Sequence, residues 1–118
     1  MDHDADFCPM CEAMQLLEEK WMLHIVRALL EGPRGFNELS RSSGGCNPAT
    51  LAQRLDELEV RGLVDKEVRS VMPPRTIYKL TTAGAELQEV IEAVDRWGRK
   101  HISARLAAYD LSVGVDRK

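Results

Sequence analysis

The sequence predicts a mainly α fold with one small β-hairpin (α+β) in a chain of 118 residues. Three observations predict it. Apolar residues recur at helical spacing in several separate stretches. Two short runs containing β-branched and aromatic residues, Leu63 to Arg69 and Thr76 to Leu80, flank the turn Ser70-Val71-Met72-Pro73-Pro74-Arg75. Stop signals fall where helices should end, Gly32-Pro33 in one place and Gly62 in another.

Taken in chain order, residues 8–19 carry Met10, Met14, Leu16 and Leu17, followed by Trp21, and read as an apolar N-terminal helix. Lys20 to Glu31 places Met22, Ile25, Val26, Leu29 and Leu30 on one face. Phe36 to Ser42 is a shorter helix with Phe36 and Leu39 inward, and Ser42-Ser43-Gly44-Gly45 turns the chain. Asn47 is a good N-cap, and Pro48 suits the first helical position because its missing N–H has no helical use there. Leu51, Leu55 and Leu58 form the buried face of the helix that follows. Thr50, Gln53, Arg54, Glu57 and Arg61 occupy its other side. From Thr82 to about Tyr109 the helical pattern returns through Leu87, Val90, Ile91, Val94 and Trp97, leaving 111–118 as a tail.

A short helix, a glycine-containing turn, a second helix with a polar face and a β-hairpin make a winged helix-turn-helix. In that arrangement the N-terminal residues of the second helix enter the major groove. Geometry therefore nominates Ala49, Thr50, Gln53 and Arg54 as base-facing. Arg41, Arg69 and Arg75 are nominated for phosphate: their guanidinium forks stay charged, and prolines stiffen the hairpin tip beside Arg75.

Cys8-Pro9, Lys20-Trp21, Gly32-Pro33, Arg34-Gly35-Phe36-Asn37-Glu38-Leu39, Leu51 through Glu59, Arg61-Gly62-Leu63-Val64, Pro73-Pro74-Arg75, Tyr78-Lys79-Leu80-Thr81, Gly84 and Trp97-Gly98 form one collinear set. It resembles the HxlR-type winged-helix regulators of bacteria over nearly the whole chain. The resemblance implies a homodimer formed through the terminal helices. It also implies, as in some members, sensing of an oxidant or small electrophile at the cysteine matching Cys8, with a changed dimer and hence changed DNA affinity. Two positions depart from the family pattern. Glu18-Glu19 stands where Gly-Gly is frequent and should keep the first helix more continuous, and Cys46 replaces an apolar residue. Neither departure is expected to touch the DNA-reading face.

One domain is expected at this length, with 8–19 and 82–110 as dimerisation helices around a DNA-binding core at 20–80. The terminal helices carry more apolar length than a small domain covers, which also favours a two-fold mate. Recognition helices would then lie about 34 Å apart on a pseudo-palindromic operator. The net charge of −3 conceals an uneven distribution. Residues 1–33 hold seven acids against two bases, residues 34–79 six against eight, and residues 80–118 six against six. The candidate DNA-facing third is the positive one. No apolar run of about 18 residues and no basic-then-apolar leader is present, so the expected location is cytoplasmic, with no membrane association.

Three cysteines make no secreted disulfide framework and suit a reducing compartment. Cys8-Pro9-Met10-Cys11 is the reactive-looking constellation: a cysteine before a helix whose first residue is proline feels the positive end of the helix dipole, which favours thiolate. Asp4 and Asp6 oppose this by repulsion. A Cys8–Cys11 disulfide, a bridge to a second subunit and an adduct with an electrophile are all open to such a pair, as is a structural role. Cys46 reads as a small core residue. Cys8, Cys11 and His3 supply only part of a zinc site, and no second pair at metal spacing follows, so neither a metal nor another cofactor is expected. His24 and His101 read as packed or surface residues. No glycine-rich phosphate loop follows a strand and no nucleophile–base motif is present, so an enzyme is not expected. The two function classes are a DNA-binding regulator and a winged-helix module that binds protein.

Overall fold

The structure, a computed structural model, describes residues 7–102. The chain divides into two compact units, 1–87 and 88–118. In the first, α1 (Pro9–Leu17), α2 (Met22–Leu30), β1 (Arg34–Gly35), α3 (Phe36–Ser42), α4 (Pro48–Val60), β2 (Val64–Val71), β3 (Pro74–Leu80) and α5 (Thr82–Ala85) follow in order. The second contains α6 (Gln88–His101).

The core of the first unit is built from the faces that periodicity marks. Met22, Ile25 and Val26 of α2, Leu39 of α3, Leu51, Leu55 and Leu58 of α4 and Val64 of β2 are at most 1% exposed. Each such side chain contributes about 1.5 to 3 kcal/mol by leaving water. Cys46 is buried beside them at 2% exposure, as a small apolar side chain would be. α4 is closed at both ends by local chemistry. Asn47 Oδ1 accepts the Thr50 N–H at 2.9 Å, with Pro48 next to it. At the other end Gly62 adopts φ +78°, and the Gly62 and Leu63 N–H groups return to the Glu59 and Leu58 carbonyls, a Schellman closure.

The sheet is three-stranded and antiparallel in the order β1-β3-β2. β1 pairs Arg34 with Tyr78 and Gly35 with Ile77, while β2 pairs with β3 from Val64↔Leu80 to Val71↔Pro74. β1 is absent from the sequence reading because two residues show no alternation. The hairpin is longer than expected, with Ser70 and Val71 in β2, Pro74 and Arg75 in β3, and only Met72 and Pro73 in the turn. Pro74 is tolerated because it is the first residue of its strand, where its missing N–H is not needed by a second neighbour.

The first helix is not more continuous. α1 stops at Leu17, the chain bends through Glu18 to Trp21, and Trp21 takes the left-handed conformation at φ +73°. Two carboxylates at a helix C-terminus oppose the negative end of its dipole, so Glu18-Glu19 is a poor continuation. The bend is packed rather than loose. A side chain at Gly44, in the turn before α4, would meet Trp21 Cζ3 at 3.1 Å, and the Trp21 and His24 rings meet edge-on at 5.3 Å.

Gly84 marks a close approach: a Cβ there would collide with the Leu63 carbonyl oxygen. Thr81 fixes this contact, its N–H bonding Leu63 O at 3.0 Å and its hydroxyl donating to Gly62 O at 2.7 Å. The C-terminal helix expected from Thr82 is interrupted at Glu86 and Leu87 and restarts as α6; Leu106 and Tyr109 lie outside the described residues. Within α6, Val94 and Trp97 are more than half exposed, Arg99 Nε donates to Asp95 Oδ2 at 2.8 Å, and Trp97 and His101 rings lie 5.1 Å apart.

Candidate nucleic-acid interface

The buried leucine face of α4 fixes which residues look outward. Ala49 and Gln53 are exposed and Thr50 is half-buried, so three of the four nominated positions form the accessible N-terminal surface of the helix. Arg41, in the last turn of α3, is exposed. So is Arg75 on β3, and none of the ion pairs between described residues involves either side chain.

Arg54 is differently placed. Its side chain is only 20% exposed; Nε donates to the Lys20 carbonyl at 2.9 Å and Nη1 lies 3.5 Å from Glu19 Oε1. Its guanidinium is engaged by the bend between α1 and α2, across a sequence separation of 34 residues. The Glu18-Glu19 departure therefore does reach a residue nominated for reading DNA, through Glu19. The same Glu19 approaches Glu57, whose carboxyl is held above the ordinary 4.5, first by its hydrogen bond with Glu19 and then by desolvation and repulsion. Arg61, 3.8 Å from Glu57, and Arg54 act in the opposite direction.

The wing carries its charges unevenly. Lys66 pairs with Glu59 at 3.8 Å and Arg69 with Glu67 at 3.2 Å, both pairs well exposed and hence weak. The register slips between Val68 and Ser70, leaving Arg69 as an extra residue in β2, an irregularity that re-aims a side chain. Arg34, counted among the bases of this region, is used internally: Nε bonds Ala28 O and Nη2 bonds Glu31 Oε1, closing the end of α2.

At the start of α1, Cys8 is the N-cap, and its Sγ accepts the Cys11 N–H at 3.1 Å. Hydrogen bonding from the Cys11 side chain and then from its backbone N–H holds the Cys8 thiol below the ordinary 9.0, against burial and the charge of Glu12. The shared bond raises Cys11. One thiol is favoured as thiolate and the other as its donor. Both sulfurs are free; Cys8 is half-buried and Cys11 exposed. Burial raises the Cys46 thiol, which makes it inert by comparison. His3, Asp4 and Asp6 lie outside the described residues.

A helix-turn-helix with an accessible second helix and a two-stranded wing defines a winged-helix transcriptional regulator. The family model described as HxlR-like helix-turn-helix matches residues 16–106. The uncharacterised HTH-type transcriptional regulator YtfH of Escherichia coli K12 is 33% identical over 106 residues, spanning 90% of this chain and 84% of that one. The HTH-type regulator YodB of Bacillus subtilis is 35% identical over 91 residues, spanning 76% and 81%. The structure of reduced YodB matches with a TM-score of 0.72 over 82% of this chain and 96% of that one, at 33% identity. YodB has also been solved quinone-bound and diamide-treated. The redox regulator HypR in its oxidised form matches with a TM-score of 0.72 at 28% identity, covering 82% of this chain and all of that one. The chain belongs to the HxlR-like helix-turn-helix family, whose members are transcriptional regulators and not enzymes. Among the described residues no helix is long and apolar enough to cross a membrane.

Proposed function

We propose that the chain binds double-stranded DNA as a homodimer on a pseudo-palindromic operator, each α4 entering a major groove and each wing flanking it. The observation that carries this is the accessible start of α4, where Ala49, Thr50 and Gln53 stand opposite a fully buried leucine face. Gln53 suits an adenine edge, and Arg41, Arg69 and Arg75 suit phosphates. A dimer is supported by Phe7, Met10 and Met14, which are 58 to 69% exposed along one side of the N-terminal segment and offer apolar area to a second copy. The test is selection of duplexes from a random pool by the full chain, followed by mobility shift and sedimentation. Two protein chains on one duplex with inverted half-sites are expected. No enrichment and no shift of any duplex would defeat this reading and leave the protein-binding module.

We further propose that thiol chemistry at Cys8, with Cys11 beside it, controls this binding. The Cys11-to-Cys8 hydrogen bond supports a poised thiolate, and the reduced, quinone-bound and diamide-treated forms of YodB support the class of signal. With a quinone, the Cys8 sulfur adds to a ring carbon, one carbonyl oxygen takes up the thiol's proton and the ring proton at the attacked carbon passes to the other oxygen, leaving a hydroquinone thioether. With diamide, two thiols lose two electrons and two protons to become a disulfide, and the reagent becomes the hydrazine. Operator affinity of wild type should change on either treatment and that of Cys8→Ser should not; equal responses would retire the idea.

A further inference from the structure

We infer that the wing tip is an apolar wedge that enters the minor groove and partly unstacks a base step, so that the protein bends the DNA it binds. This rests on the DNA-binding reading above and goes beyond it. Val71, Met72, Pro73 and Pro74 form four consecutive apolar residues at the apex of the hairpin, with Val71 78% and Met72 88% exposed. Val68, one irregularity further back, is 61% exposed. An uncharged, exposed run of this kind is disfavoured on a protein surface unless something covers it.

The surroundings of the apex identify what covers it. Arg75 pairs across the hairpin with Ser70, immediately behind the apex, and Arg69 is the extra residue beside it. From Val68 to Thr76 there are two arginines and no acid. A tip that only neutralised phosphate would carry its cation foremost. Here the cations form a collar one step behind an apolar point, the depth at which phosphates flank a groove once the point is inside it. The apex is held in shape, since Ser70 Oγ donates to Pro73 O at 2.8 Å. Methionine and proline are among the side chains able to part stacked bases, and pyrimidine–purine steps yield to them most readily. Glu67 is an exposed partner of Arg69, and a phosphate can displace it.

The experiment uses the full chain and the duplex enriched by selection, carrying end dyes for energy transfer and 2-aminopurine at successive steps outside the half-sites. Wild type should bend the duplex by about 20 to 90° and raise 2-aminopurine emission at one step per wing. Met72→Ala, at an exposed apex that leaves folding intact by circular dichroism, should still bind, within about tenfold of wild type, while bend and emission fall toward those of free DNA. Arg75→Ala should instead weaken binding to all sequences and lower the salt slope by about one. A bound but straight duplex, or a Met72→Ala variant that bends DNA as wild type does, overturns the wedge with DNA binding intact and leaves the apex to a protein partner. Failure to shift any duplex overturns the DNA reading itself, and the wedge with it.

Discussion

The Arg54 guanidinium donates to the Lys20 carbonyl at 2.9 Å, joining the recognition helix to the bend that follows the cysteine-bearing helix. A charged donor on a backbone carbonyl, largely out of water, is worth more than an exposed ion pair. Arg54→Met keeps the apolar stem and removes the donors, so it should lower the free energy of unfolding by about 1 to 2 kcal/mol, read from urea denaturation. A variant as stable as wild type would mean that the bond contributes nothing. If the chain binds DNA as proposed, Arg54 serves by positioning α4, and its loss should weaken binding to all duplexes alike rather than relax one base position.

Glu57 predicts a dependence of stability on pH. Its folded pKa is raised, so its contribution is fully present below the unfolded value near 4.5 and is lost as pH rises through the folded value. Removing the charge removes that loss. Glu57→Gln should be at least as stable as wild type at pH 7, with the difference vanishing near pH 4; an advantage that grew on acidification would contradict the Glu19–Glu57 contact.

Cys8 should alkylate before Cys11. Because hydrogen bonding from Cys11 lowers one thiol and raises the other, the iodoacetamide rate at Cys8 should rise at lower pH than that at Cys11, followed by peptide mass spectrometry. Cys11→Ala removes the side-chain donor while keeping the backbone N–H, and should move the Cys8 midpoint upward without restoring an ordinary thiol. Identical profiles for the two cysteines would sink the assignment.

Gly84→Ala reverses a familiar sign. In an open helix the change would stabilise by about 0.5 to 1 kcal/mol, but here the added carbon meets the Leu63 carbonyl oxygen, which belongs to the backbone and cannot swing aside. We expect a loss of about 1 to 3 kcal/mol and a lower melting temperature. A gain in melting temperature would show that the contact relaxes freely.

Legibility followed the range of the interaction. The cap at Asn47, the stop at Gly62 and the leucine face between them are local, and the structure reproduces each from sequence. The wing was legible as a hairpin but not to its full length, because Pro74 reads as a breaker until its place at a strand start is known. The two-residue strand at Arg34–Gly35 has too little pattern to detect. Arg54 has the spacing of a groove-facing residue, and only the fold reveals that Lys20 and Glu19 stand beside it. No periodicity encodes a contact made across 34 residues.

The bend from Glu18 to Trp21 rests against Gly44 through an indole ring and against Arg54 through a carbonyl. Its grip on α4 therefore rests on one ring, one backbone oxygen and the Glu19 carboxylate, none of them contributed by α1. Substitutions along α1 that leave the bend intact should leave the seat of α4 unchanged.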